Sequence, residues 1–196
     1  MSSLDSPLAP GYLVAAPNLK DPNFAQTIVL MAEHGSDGAI GFIVNKSTSI
    51  TLETLLNSVD SELAIAAKEA GIGDQEILVG GPVQNNIAWI LYHKDGSELD
   101  EGSIAVGDEL VLGASMDTLR SLVLDERKSP FIVFLGYSGW GVKQLEDEIG
   151  VGSWIPLEMS HDLTFDVPID DRWDDAVKRL GLVPGGFIMG GPGASA

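Results

Sequence analysis

The chain contains no cysteine among its 196 residues. That absence excludes disulfide bonds, thiolate nucleophiles and zinc sites with cysteine ligands. Positive charge is scarce, because 11 Lys and Arg residues stand against 29 Asp and Glu residues, for a net charge of −18. Such an excess repels phosphate backbones, whereas nucleic-acid binding normally draws on clusters of Lys and Arg. Direct binding to DNA or RNA is therefore an unfavourable interpretation.

Long hydrophobic runs are also missing. The richest runs, 27–32 and 131–135, fall far short of the roughly 18 to 20 residues that span a bilayer. The first ten residues, MSSLDSPLAP, lack the basic and apolar regions of a signal peptide. We therefore expect a cytoplasmic protein with no membrane partner. The length and the 44% hydrophobic fraction fit one domain over 1–196, with flexible tails at 1–7 and 183–196.

Seven short runs rich in Val, Ile, Leu and aromatic residues predict strands, since each is bounded by turn residues. They are Tyr12–Ala16, Thr27–Ala32, Ala39–Val44, Ile77–Gly80, Ala88–His93, Glu109–Leu112 and Phe131–Leu135. Residues 33–38 carry two glycines and predict a hairpin loop longer than two residues between the second and third runs.

Apolar residues at helical spacing, together with capping residues, predict helices between these strands. The inward positions are Leu52, Leu55, Leu56 and Val59 after the cap Thr51; Met116, Leu119 and Val123 after the cap Ser115; Val142, Leu145 and Ile149 before the stop Gly150; and Trp173, Ala176, Val177 and Leu180 within 170–180. A weaker pattern predicts a helix over 61–70. Strands and helices alternate irregularly, which favours an α+β domain with mixed or antiparallel pairing.

The most informative segment is 131–150, where an apolar run is followed by a glycine-rich stretch and then by a helix. The stretch Gly136–Gly141 predicts a turn that presents backbone N–H groups and the side chains of Tyr137, Ser138 and Trp140 to a ligand. Trp140 is predicted to lie at the surface. A serine-hydrolase elbow is disfavoured, because Trp140 occupies the position two residues after Ser138 that requires a small residue.

A second glycine segment, Gly80-Gly81-Pro82, predicts either a tight turn or a close approach of the backbone to a ligand. Neither glycine segment matches a nucleotide-binding loop, so we expect no cofactor. The histidines at 34, 93 and 161 are scattered without metal-ligand spacing, so we expect no metal site. His34 follows Glu33 in the predicted loop, which is typical of a solvated histidine and less so of an acid–base pair.

Several segments together resemble the YqgE/AlgH family of bacterial proteins. They are Leu8–Gly11 with Leu13, Ala15 and Pro17; Phe24 and Thr27–Leu30 through Glu33-His34; Gly38–Asn45; Val79–Val83; and Gly136–Gly141 with Gln144-Leu145-Glu146. The resemblance implies a single α+β domain with coiled β-sheets and packed helices. The family has no established biochemical activity, although some members are labelled transcriptional regulators. Family members usually carry Ala at the position of Ser138, which further disfavours catalysis through that hydroxyl.

Two hypotheses follow from the residues and the resemblance. The first is a non-enzymatic regulatory or protein-interaction module, with Tyr137 and Trp140 as anchors and with Gln144 and Glu146 orienting a protein partner. The alternative is an enzyme or binding protein for a small polar metabolite in a cleft between the two glycine turns, with His34 and Glu33 or Glu146 in acid–base roles. The candidate ligand- or partner-binding residues are His34, Asn45, Gly80, Gly81, Pro82, Tyr137, Ser138, Gly139, Trp140, Gly141, Gln144 and Glu146.

Overall fold

Ten strands form one branched sheet within the residues that the computed structural model describes, namely 8–94, 96, 99–126 and 129–182. The predicted tails 1–7 and 183–196 lie outside these residues. The strands are β1 (Gly11–Ala15), β2 (Ile28–Gly35), β3 (Gly38–Ile43), β4 (Ser47–Thr51), β5 (Glu76–Val79), β6 (Val83–His93), β7 (Ile104–Val106), β8 (Leu110–Gly113), β9 (Phe131–Trp140) and β10 (Trp154–Leu157).

All seven predicted strands are present. They could be predicted because an apolar run between turn residues is visible within a few residues of sequence. Strands β4, β7 and β10 were not predicted, since each is only three to five residues long. Strands β4 and β10 are also defined by pairing with strands far away in sequence; β4, for example, reads STSIT and pairs with β5. Strands β2 and β3 form the predicted hairpin, but their pairing continues to Gly35 and Gly38. The turn therefore has two residues, and the prediction of a longer loop was wrong.

Strand β9 is the central element of the sheet and the point at which it branches. The strand order is β10-β1-β2-β3-β9-β6-β8-β7, while β5 pairs with both β4 and β9. On one edge of β9, Phe134 and Leu135 pair in parallel with β5, whereas residues 138–140 pair with β3 in antiparallel fashion. This edge thus changes partner around Gly136. Mixed and antiparallel pairing confirms the predicted α+β class.

Six α-helices surround the sheet in the described part of the chain: α1 (Leu52–Asn57), α2 (Ser61–Glu69), α3 (Met116–Val123), α4 (Gln144–Gly150), α5 (His161–Phe165) and α6 (Arg172–Arg179), with a 3₁₀ turn (Ile169–Asp171) before α6. Thr51 and Ser115 accept the capping hydrogen bonds that were predicted for them. The predicted stop of α4 at Gly150 was wrong: Gly150 is helical, and Gly152 takes the positive φ of +80°.

Three predicted inward residues are in fact exposed: Val59 by 62%, Met116 by 46% and Val142 by 64%. Each lies at or just outside a helix end, where the apolar stripe no longer faces the sheet. None of the described helices is long and apolar enough to cross a lipid bilayer.

The described residues form three hydrophobic clusters, and the strands alternate between them. Along β1, Tyr12 and Val14 pack with α5 and α6, whereas Leu13 and Ala15 pack on the opposite face with α4 and β10. The third cluster holds α1, α2 and α3 against β6 and β9. Burial on both faces explains why the first strands read as continuous apolar runs.

Candidate functional site

The segment predicted to form an exposed turn is the last part of strand β9. Ser138 is fully buried and Trp140 is only 6% exposed, whereas Gly139 is exposed and Tyr137 is half-buried. The predictions of a turn over Gly136–Gly141 and of a surface Trp140 were therefore wrong. The glycines resemble a turn signal because glycine serves both tight turns and close contacts between backbones.

The two glycine segments do meet, as a junction between strands. A Cβ added to Gly80 would lie 2.1 Å from the carbonyl oxygen of Gly136, and one added to Gly81 would lie 2.3 Å from the carbonyl carbon of Tyr137. The Gly80 N–H donates to the Leu135 carbonyl at 2.9 Å, and the buried Ser138 hydroxyl donates to the Gly80 carbonyl at 3.1 Å. These glycines therefore make packed backbone contacts at the point where the sheet branches. Pro82 follows them and is exposed.

His34 contacts Glu146, one of the two carboxylates proposed as its partner. Its Nδ1 accepts the Leu8 N–H at 3.1 Å, so Nε2 carries the proton of the neutral ring and donates to Glu146 Oε1 at 3.1 Å. The Glu146 backbone N–H and then His34 lower the pKa of the Glu146 carboxyl. Glu33 is exposed and does not pair with His34. The prediction of a solvated loop histidine was wrong, since the His34 side chain lies in β2 and is 9% exposed.

Trp140 holds helix α4 against the sheet. Its Nε1 and that of Trp154 donate to the same oxygen of Glu148, at 3.0 and 2.8 Å. Gln144 donates to the other Glu148 oxygen at 2.9 Å and accepts the Gly141 N–H at 3.0 Å. The predicted anchor is thus engaged inside the protein, and partner binding by Gln144 and Glu146 stays a prediction.

The predicted residues do not converge on one cavity. His34 and Trp140 line a groove of about 620 Å³. Asn45 lies beside a different pocket of about 370 Å³, where its side chain accepts the Ile28 N–H at 2.7 Å and donates to the Gln26 carbonyl at 2.8 Å. Tyr137 lines neither. Since the polar groups of His34, Asn45 and Trp140 already have partners, these residues have little capacity left to bind a ligand.

A cavity of about 440 Å³, which the sequence did not reveal, lies between the end of α3, the β5–β9 pair and the start of α6. We call it the Arg172 cavity. Ten of its sixteen described lining residues are apolar or proline, and they are Ala70, Ile72, Leu78, Leu122, Val123, Pro130, Phe131, Ile132, Phe165 and Ile169. The polar residues of this described lining are Gln75, Glu76, Asp125, Ser129, Thr164 and Arg172.

Besides Arg172, four of these polar side chains are held by internal hydrogen bonds, and they are Gln75, Asp125, Ser129 and Thr164. Ser129 donates to the Asp125 carboxylate at 2.9 Å. Gln75 donates to the Phe131 carbonyl at 2.7 Å. The Tyr12 hydroxyl donates to the Ser160 carbonyl at 2.7 Å and lies 2.5 Å from the Thr164 hydroxyl, so Thr164 donates to the Tyr12 oxygen. Burial raises the pKa of Tyr12 above its ordinary value, which keeps this pair neutral near pH 7.

Arg172 is 5% exposed. Its Nε donates to the Val167 carbonyl at 2.9 Å and its Nη1 to the Val44 carbonyl at 2.5 Å. Within the described ranges, Nη2 has no hydrogen-bond acceptor and no carboxylate oxygen lies within 4 Å of the guanidinium. Burial lowers the pKa of Arg172 from its ordinary value, yet a guanidinium remains charged near pH 7. Among the described residues, the cavity wall therefore carries a buried positive charge with no carboxylate in salt-bridge contact.

One sequence signal could have revealed Arg172. It opens helix α6 beside Asp170, Asp171, Asp174 and Asp175, so a cation stands where the helix dipole favours carboxylates. Because the helix dipole disfavours a cation at this position, a cation there indicates that another interaction stabilises it. Only the apolar positions of this helix were singled out from the sequence, and Arg172 was not among them.

The histidines are less scattered than the sequence suggested. His93 on β6 and His161 on α5 approach each other, with 3.0 Å between their Nε2 atoms, and both rings contact Phe165. Across the described residues, no group of three or more His, Asp or Glu side chains has a geometry that could hold a metal ion.

Comparison with known proteins places this fold in a family. The family model described as AlgH-like matches residues 12–185. A UPF0301 protein of Anaeromyxobacter sp. (strain Fw109-5) is 51% identical over all of this chain and 99% of its own length, and one of Photobacterium profundum is 36% identical over 88% of this chain and 91% of its own. The solution structure of the AlgH protein from Pseudomonas aeruginosa is 29% identical, covers 93% of both chains and superposes with a TM-score of 0.70. The chain belongs to the AlgH-like family.

Proposed function

We propose that this AlgH-like protein is a non-enzymatic binding protein that holds a small molecule with an apolar body in the Arg172 cavity. The observation that carries the proposal is the cavity itself. Its volume of about 440 Å³ falls within the roughly 300 to 1,000 Å³ of small-molecule sites, and its wall combines aliphatic and aromatic side chains with a few polar groups.

The polar wall favours binding over chemistry. Gln75, Ser129 and Thr164 are engaged in internal hydrogen bonds, Ser129 with the Asp125 carboxylate, and a guanidinium is too weak an acid to transfer protons near pH 7. The net charge of −18 continues to argue against direct contact with a nucleic acid. A regulatory role of the kind that the family resemblance implies would then pass through the bound ligand.

The proposal is tested by NMR titration of the ¹⁵N-labelled protein with two eight-carbon probes, 1-octanol and octanoate. At least one probe should give saturable shifts that are centred on residues such as Leu122, Phe131 and Phe165. The variant Leu122→Phe places a larger side chain in the cavity and should weaken binding about tenfold or more.

The matched control is Leu124→Phe, which makes the same change two residues further on. Leu124 is 57% exposed and does not line the cavity, so this variant should bind as the wild type does. Absence of saturable binding for both probes, or equal weakening by the two variants, would contradict the proposed function.

A further inference from the structure

The charge on Arg172 identifies the class of ligand, provided that the proposed function holds. A buried charge without an opposite charge is costly, and proteins normally pair it or bind a counter-ion. The two carbonyl groups that accept from Arg172 are neutral dipoles and satisfy only part of its five N–H groups. The guanidinium therefore retains both charge and hydrogen-bonding capacity for a further acceptor.

Its position is also fixed in advance. Hydrogen bonds to the carbonyl groups of Val44, just after β3, and of Val167, before the 3₁₀ turn, hold the guanidinium at the cavity wall. A donor that is already oriented loses little conformational entropy when it binds an acceptor. This arrangement is the one expected of a group that receives an anion.

We propose that the ligand is a monocarboxylate with an apolar body, whose carboxylate binds the Arg172 guanidinium while the body fills the aliphatic and aromatic part of the cavity. A planar guanidinium matches a carboxylate through two N–H···O bonds, and such charge-assisted bonds are about twice as strong as neutral ones. The ligand would supply the counter-ion that the described residues do not provide.

A phosphate group shares this chemistry, but the electrostatics of the cavity favour the smaller charge. Glu76 and Asp125 also line the cavity; Glu76 is exposed and Asp125 is half-buried, so both lie nearer to solvent than Arg172. Together with the net charge of −18, they oppose entry of a dianion more strongly than entry of a monoanion.

The test compares four probes that share one eight-carbon chain and differ in the head group: octanoate, 1-octanol, octylamine and octyl phosphate. Binding to the wild-type protein is measured by NMR titration, with the Nε–Hε signal of Arg172 as a local reporter. Octanoate should bind about tenfold to a hundredfold more tightly than octanol. Octanoate should also shift the Arg172 signal more than octanol does.

The outcomes separate this inference from the proposed function. Equal affinity for octanoate and octanol would overturn the anion assignment while leaving a cavity that binds apolar molecules. Tightest binding of octylamine or of octyl phosphate would overturn the monocarboxylate as ligand. If none of the four probes binds, the proposed function fails and the inference fails with it.

Substitution of Arg172 tests the inference in a second way. Arg172→Gln should abolish the preference for octanoate over octanol, whereas Arg179→Gln, which removes a guanidinium outside the cavity, should preserve it. Arg172 also bridges two backbone carbonyls, so each variant is first checked by urea unfolding. Should Arg172→Gln not fold, the head-group comparison in the wild type still decides the matter. An unchanged preference in a folded Arg172→Gln would overturn the inference.

Discussion

Replacement of Gly80 by alanine tests whether the glycine junction is a packed contact or an exposed platform. The added Cβ would lie 2.1 Å from the Gly136 carbonyl oxygen and 3.1 Å from the Phe134 Cβ, both on strand β9. Gly80 does not have a positive φ, so the clash is the only new strain. Gly81 is a poorer choice, because its φ of +157° would add backbone strain to the clash.

The magnitude follows from the movement that the clash requires. Real Cβ contacts essentially never fall below 3.0 Å, so β5 and β9 must separate by about 0.9 Å at this point, the difference between 3.0 and 2.1 Å. Overpacking of this kind costs about 3 kcal/mol. The movement also stretches the hydrogen bonds of Gly80 with Leu135 and Ile43, each worth about 1 kcal/mol. The free energy of unfolding should therefore fall by about 3 to 5 kcal/mol.

Urea unfolding followed by circular dichroism measures this loss. The matched control is Gly150→Ala, at the last position of α4, where an added Cβ meets nothing within 4 Å. That variant should be unchanged or more stable by up to about 1 kcal/mol, because alanine is the better helix former. A loss below about 1 kcal/mol for Gly80→Ala would refute the packed junction and would support the sequence-based prediction that the glycines form an exposed binding surface.

Two further predictions concern charged groups. Glu148→Ala should lower the free energy of unfolding by about 2 to 4 kcal/mol, because two indole N–H groups lose a charged acceptor. As a control, Asp147→Ala changes the neighbouring, exposed carboxylate and should alter the free energy of unfolding by less than about 0.5 kcal/mol. Equal losses in the two variants would contradict the role of Glu148 as the acceptor for both indole groups. In an NMR pH titration the pKa of Asp162 should lie at about 2, and Arg179→Gln should raise that pKa towards the ordinary 3.8 because Arg179 is its main hydrogen-bond donor. Because the folded-state pKa of Asp162 lies below its ordinary value, the stability that the Asp162–Arg179 pair contributes is present above pH 3.8 and is lost as the pH falls towards 2. An unchanged Asp162 pKa in Arg179→Gln would contradict Arg179 as the cause of the shift.

Much of the fold could be predicted, because strands and helices depend on local pattern. The seven apolar runs and the caps Thr51 and Ser115 are visible within a few residues of sequence. Strand β10 is different, since it exists through its pairing with β1, more than a hundred residues earlier. Its sequence, WIPL, contains a proline and is too short to show the alternation of apolar and polar residues that marks a strand.

The candidate site was harder to predict for the same reason. The stretch Gly136–Gly141 has the composition of a turn, and only the contact with Gly80 shows that its glycines serve close strand packing. The pairing of His34 with Glu146 was one of two proposed pairs, and spatial proximity was needed to choose between them. Arg172 was missed because much of its environment comes from β5, β9, α3 and the residue after β3, all of which lie far from it in sequence.

The charge balance of the whole chain strengthens the case for a ligand at Arg172. The chain has 29 carboxylate side chains and only 11 Lys and Arg residues, so carboxylates are abundant enough to pair with any buried cation. Arg172 is nevertheless the one buried Lys or Arg among the described residues, and no described carboxylate lies within 4 Å of its guanidinium. Arg179, by comparison, is exposed and is paired with Asp162 and Asp175. Carboxylates thus pair with an exposed cation, whereas the buried cation lines a largely apolar cavity in which no described carboxylate lies within 4 Å of it. This is the distribution expected if the negative charge at Arg172 arrives with the ligand.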